Sequence, residues 1–169
     1  MLIENHLKIV KSASVKKSIG FHSKSWKFQL AYYIAKTINQ VMDKVKFELE
    51  FPLRASPKML FPFLSTPSGL SEWFCDDVNS RTELFTFFWD GSEEQARLLK
   101  KQQDKMVRFR WLNDEEDGLD TYFEFRIEVD AITHDTSIIV TDFAEEDELD
   151  EAKQLWDSQI NELAHTIGA

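Results

Sequence analysis

The chain has 169 residues, 43% hydrophobic and 13% aromatic, with 14 Phe and 5 Trp. That apolar mass excludes a disordered chain, and 5 Gly and 4 Pro exclude a linker or fibrous protein. The net charge is -10 but uneven: residues 1–41 carry seven Lys against one Glu (+6), and residues 42–169 carry 13 Lys plus Arg against 29 Asp plus Glu (-16), which excludes nucleic-acid binding by the body.

Residues 1–41 show no core pattern beyond an amphipathic stretch at 26–38 (WKFQLAYYIAKTI). Three readings stand for them: an over-extended reading frame whose true product starts at Met42, a basic extension that touches an anionic surface, or a secretion signal. The signal is the weakest, because Gln29 and Lys36 interrupt the apolar stretch and no small-residue cleavage site follows. At Met42 the texture changes. Val45, Phe47, Leu49, Phe51 and Leu53 alternate with polar residues and Pro52, the period of an edge or terminal strand with one buried face.

Ser56-Pro57 and Thr66-Pro67 are two helix starts, each an N-cap followed by Pro at the first helical position. Met59, Leu60, Phe63 and Leu64 are expected on the apolar side of the first, which Pro62 shortens or bends. In GLSEWFCDD, Trp73 and Phe74 are adjacent, so no strand puts both on one face. With Leu70 they make an i, i+3, i+4 set on a second short helix that Asp76-Asp77 ends. The single cysteine, Cys75, has no internal partner and reads as a small buried hydrophobe in a reducing, cytoplasmic setting.

Phe85, Phe87 and Trp89 read as a strand closed by the Asp90-Gly91 turn. Residues 93–105 are helical by propensity and a strand by position. Val107, Phe109 and Trp111 alternate with Arg108 and Arg110. An acidic turn is expected at 113–120. Phe123, Phe125, Ile127 and Val129 form the next strand, Thr133-His134-Asp135 a turn, and residues 136–143 a β-branched strand. Arg108, Arg110 and Arg126 are expected outward, paired with Glu124 or Glu128 across strands. The chain closes with a helix: acidic residues at its start suit the dipole, Leu149, Ala152, Trp156, Ile160, Leu163 and Ile167 form a stripe, and Gly168 ends it. This order is α+β, a curved antiparallel sheet with helices on one face.

The strand VKFELEFPLRASPKMLFPFLS, the segment TPSGLSEWF and the closing TSIIVTDFAEEDELDEAKQLWDSQINEL resemble the START-like (SRPBCC) superfamily with its helix-grip fold. Within it they are similar to the activator of the ninety-kilodalton heat-shock chaperone's ATPase. The resemblance covers residues 42–169 and none of 1–41, and it implies a strand within 93–105. It also implies an apolar cavity between the sheet and the C-terminal helix, where members hold lipids, sterols, polyketides or hormones. Other members bind protein partners, and a few are aromatase/cyclase enzymes. On that footing Leu70, Trp73, Phe74, Phe87, Trp89, Phe109, Trp111, Phe125, Trp156 and Ile160 are the cavity candidates, although such rings are first of all core material.

Catalysis needs convergent acid, base or nucleophile groups. His134 and His165 keep company with no Cys or ligand cluster, the carboxylates sit in turns and on polar faces, and no Gly-rich phosphate loop is present. No metal or cofactor is implied, and no ionisable group can be placed inside the cavity from sequence. No run of about 18 apolar residues is present to span a membrane as a helix. The expected function is a non-enzymatic domain for an apolar small molecule or lipid. The alternatives are a co-chaperone-like interaction module with an acidic surface and, behind it, a cyclase-like enzyme.

Overall fold

A computed structural model describes residues 44–169. The readings for residues 1–41 and for Met42 lie outside the described residues. The architecture is α+β: a curved seven-stranded antiparallel sheet, three short helices and one long C-terminal helix, the helix-grip arrangement.

The strands are β1 (Val45–Leu53), β2 (Asp77–Arg81), β3 (Leu84–Trp89), β4 (Ser92–Gln102), β5 (Met106–Trp111), β6 (Phe123–Val129) and β7 (Thr136–Ala144), in the spatial order β1-β7-β6-β5-β4-β3-β2. All neighbours are antiparallel. Pro52 therefore sits on an edge strand, where a missing N–H costs least. The helices are α1 (Pro57–Ser65), α2 (Pro67–Leu70), α3 (Leu112–Glu116) and α4 (Leu149–Ile167). Among the described residues no helix is long and apolar enough to cross a membrane.

Both short-helix starts form as read. Ser56 Oγ accepts from the Met59 N–H (3.3 Å) and Thr66 Oγ1 from the Gly69 N–H (3.0 Å), each relieving a donor that the helix leaves unpaired. The buried side of α1 is Leu60, Phe61 and Leu64, not the expected Met59, Leu60, Phe63 and Leu64: Met59 faces solvent and Phe63 is half-buried. Leu60, Phe61 and Leu64 also share one side of a helix, and that side packs over β5 and β6. The second helix stops at Leu70, so Trp73 and Phe74 lie beyond it. Their N–H groups still bond the Leu70 carbonyl (3.4 and 2.9 Å), which keeps the apolar face together through one more turn.

Two polar stretches depart from expectation. No element is expected over Asp77–Arg81, yet it is edge strand β2, with Val78 its one buried residue. Residues 112–116 are helix α3 instead of a plain acidic turn. Asp114 and Glu115 occupy its first turn, where the dipole favours them. The ambiguous 93–105 stretch is strand β4, paired on both edges. A register shift between Leu98 and Lys100 changes which parity faces inward: Leu98 lies opposite Phe109, and Lys101, not Lys100, lies opposite Val107.

On the outer face of the sheet, Glu124 is buried beneath Arg108 (2.7 Å) and Arg126 (3.4 Å), and Arg126 also holds Glu128 (2.8 Å). Arg108 lies over the Tyr122 ring at 4.0 Å. The cross-strand pair expected for Arg108 is present; Arg126 pairs instead along its own strand, with Glu124 and Glu128, and Arg110 with Asp120.

Candidate functional site

The inner face of the sheet and the underside of α4 define the region where a site is expected. Inward residues on β3, β5 and β6 are Phe85, Phe87, Phe109, Phe123 and Phe125, all buried. Phe74 reaches into them from the turn after α2. Its ring lies 5.5 Å from Phe87, 6.1 Å from Phe123, 6.4 Å from Phe125 and 5.9 Å from Trp156 of α4. Trp73 packs beside it (5.4 Å), edge-on to Phe125 (5.7 Å), and its indole N–H donates to the Phe63 carbonyl (3.0 Å). Such edge and offset contacts are the preferred ring geometries.

The sequence-derived candidates fall into two places. Leu70, Trp73, Phe74, Phe87, Phe109, Phe125 and Trp156 are buried in one ring-on-ring cluster. Trp89 and Trp111 are half-buried at its margin, 6.3 Å apart, and Trp111 stacks on Phe123 at 4.7 Å. Ile160 is also buried, but it lines an opening of about 510 Å³ between the end of β1 and the last turns of α4. The other lining residues are Phe51, Pro52, Leu53, Arg54, Asn161, Ala164 and Ala169. A volume of that size lies in the range of small-molecule sites.

The opening residues were readable in part. Phe51 and Leu53 share the inward parity of β1, and Ala164 follows Ile160 by one helical turn. Nothing in a single sequence says that the end of β1 lies against the end of α4.

An ionisable group that could not be placed from sequence faces α4. Asp142 lies opposite the inward Phe47 in the β1–β7 register and shares parity with Ile138 and Val140, so its carboxylate points at the helix. It accepts from the indole N–H of Trp156 (2.9 Å). Burial pushes its pKa up to about 6, against the lowering effect of the Phe143 N–H, the Trp156 N–H and the charge of Lys44. Asp114 of α3, itself buried, takes an ion pair from Lys44 (2.7 Å) and a hydroxyl bond from Thr121 (2.5 Å). Strand parity in TSIIVTDFA was the available signal for Asp142. Asp114 had none, because its burial depends on a helix that the acidic composition hides. Asp142 and Asp114 do not line the opening. Cys75 is buried and free, with its thiol donating to the Asp77 carbonyl (3.2 Å), and burial pushes its pKa up. Among the described residues no group of three His, Cys, Asp or Glu side chains is placed to hold a metal ion.

Comparison with known proteins places this geometry. A family model for the START-like superfamily domain matches residues 41–169. No curated protein matches the chain. A Bacteroides fragilis protein solved in solution is 37% identical, over 74% of this chain and 92% of its own, with a TM-score of 0.54. The Aha1 dimer from Colwellia psychrerythraea is 19% identical over 73% of this chain and 96% of its own, with a TM-score of 0.62. The AHSA1-like protein from Aeromonas hydrophila is 10% identical over 73% and 92%, with a TM-score of 0.59. The last two share the fold. With residues 41–169 matched by the family model and a relative above a third identical, the chain belongs to the START-like superfamily.

Proposed function

We propose that the domain binds an elongated apolar small molecule or lipid between the sheet and the C-terminal helix, with its entrance at the opening between β1 and α4. The observation that supports this most is the 510 Å³ space itself, walled by Phe51, Leu53, Ile160 and Ala164. Arg54 and Asn161 stand on the same lining. The lining mixes polar and apolar surface in a groove half open to solvent, its apolar side chains giving contact area and its polar groups fixing orientation. A guanidinium favours a carboxylate or phosphate head over a neutral one. The lining offers groups that orient a ligand rather than an acid–base pair, so we read the site as one of binding, not reaction. The aromatic cluster behind it makes a stiff floor, and Trp73 and Phe74 act by holding that floor in place.

The test is titration with an environment-sensitive fluorescent fatty acid. Ala164→Trp fills the space, so binding should fall at least tenfold while the thermal transition stays in place. Arg54→Ala should weaken the acid roughly tenfold, the worth of one charge-assisted bond, and leave the matching alcohol unchanged. Equal binding by wild type and Ala164→Trp would refute the site.

A second reading, a protein-interaction module, draws on the outer side of α4, where Leu155 is 59% exposed on a helix that also exposes Glu151 and Glu162. Partner binding there should weaken with salt and survive Ala164→Trp.

A further inference from the structure

One end of the domain differs in character from the rest. Leu53, Thr136 and Val129 stand side by side on β1, β7 and β6, so the end of β1 and the β6–β7 hairpin share this end. The Ile127 N–H bonds the Lys105 carbonyl (2.7 Å), which brings the β4–β5 turn alongside. Helix α1 starts just after Arg54, and its Ser65 carbonyl takes the Lys101 ammonium (3.0 Å). The helix therefore runs along this end from β1 to β4.

Two features coincide there. The first is charge. Among the described residues, Arg54, Lys58, Lys101 and Lys105 are exposed and meet no carboxylate within ion-pairing distance, whereas the cations of the outer sheet face, Arg97, Arg108, Arg110 and Arg126, are each paired. The carboxylates on the same turns are Asp104, Asp130 and Asp135, with Glu128 held by Arg126. The balance is positive on a body whose residues 42–169 sum to -16. The second is an apolar tip. Ile132 is 89% exposed, the most exposed large hydrophobic side chain among the described residues; Val129, three residues before it, and Met59, in the first turn of α1, are each 46% exposed. Asp130 accepts from the Ile132 and Thr133 N–H groups (2.8 Å each), which folds the hairpin into a fixed turn with Ile132 at its apex. His134, at φ 62°, completes that turn.

We infer that this end is a docking surface for an anionic lipid bilayer, with Ile132 and Met59 entering the headgroup layer and Arg54, Lys58 and Lys105 ranged along the lipid phosphates. Isolated cations near an anionic leaflet each add to attraction, and an exposed aliphatic tip adds what a soluble polyanion does not use. The surface borders the mouth of the opening through Arg54, but it stands whether or not the opening holds a ligand.

The test is co-sedimentation of the full chain with vesicles of phosphatidylcholine alone or with about a third phosphatidylserine, no small molecule being added. Binding is expected only to the anionic vesicles, falling with salt. Ile132→Asp, and separately Lys58→Glu with Lys105→Glu, should each weaken it at least fivefold; all three positions are exposed, so the fold is retained, checked by an unchanged thermal transition. Absence of binding to anionic vesicles would overturn the proposal. So would binding undiminished by either variant, which would assign it to the lysines of residues 1–41. A third overturning result is heparin binding as tight as vesicle binding and indifferent to Ile132→Asp, which would make the partner a soluble polyanion.

Discussion

Asp142 ties stability to pH in a direction opposite to most carboxylates. Its ordinary value is 3.8 and the fold raises it to about 6, so the folded state holds the proton more tightly than the unfolded one. Below about pH 4 both states are protonated and the group costs nothing. As pH rises through 6 the folded state must ionise in buried surroundings, and by pH 7 the cost is about 2–3 kcal/mol. Asp142→Asn keeps an acceptor for the Trp156 N–H and has no charge to bury. The variant should be more stable than wild type at pH 7 and about equal at pH 4, read as denaturant midpoints across that range. Equal pH profiles would remove Asp142 as the cause. Trp156→Phe keeps the stack on Phe74 but loses the N–H to Asp142, at an expected cost of about 1–2 kcal/mol at pH 7 and less at pH 4; Trp156→Ala should cost about 3–5 kcal/mol at either pH. Asp142 was not read as an inward residue, because Ile138-Ile139-Val140 is an unbroken apolar run that leaves little alternation to carry on to it, and among the described residues most carboxylates face water.

At the scale of elements, the tightest constraint is the junction of α1 and α2. A Cβ on Gly69 would lie 2.3 Å from the Pro62 carbonyl oxygen and 2.6 Å from the Phe63 Cα, both backbone atoms that cannot step aside. Gly69→Ala should therefore destabilise by about 2–3 kcal/mol, seen as a lower chemical-denaturation midpoint, and Ser68→Ala, exposed two residues into α2, should change little. The helix starts at Ser56 and Thr66 and the long stripe of α4 were legible because each carries a local rule: a cap, a proline or a 3.6-residue period. Strand β4 was not, since EEQARLLKKQQDK favours a helix and becomes a strand only because β3 and β5 pair with its two edges. Strand β2 was missed for a related reason. DVNSR offers Val78 alone to the core, and an edge strand with one buried side chain leaves no alternation to read. Helix α3 hides behind its charges, because the partners of the Asp114 carboxylate, Lys44 and Thr121, lie 70 and 7 residues away in sequence.

Across the whole molecule, the superfamily follows from the order of elements and the ring-bearing segments, and the fold holds the aromatic residues together as those segments suggest. The place of the opening does not follow from them. It is made by the end of β1 meeting the end of α4, more than a hundred residues apart, and Phe51, Pro52, Leu53 and Arg54 line it where the sequence draws the eye to the Trp and Phe residues of the core. Under the proposed function the ligand enters beside the last helix and lies against the aromatic floor, without requiring the rings to part. Native mass spectrometry of the freshly purified full chain tests that directly, beside Ala164→Trp and after incubation of both with an excess of long-chain fatty acid. A discrete extra mass on the wild type, lost on denaturation and missing from Ala164→Trp, is the expected result. The bare chain mass for both proteins, with the fatty acid present, would contradict it.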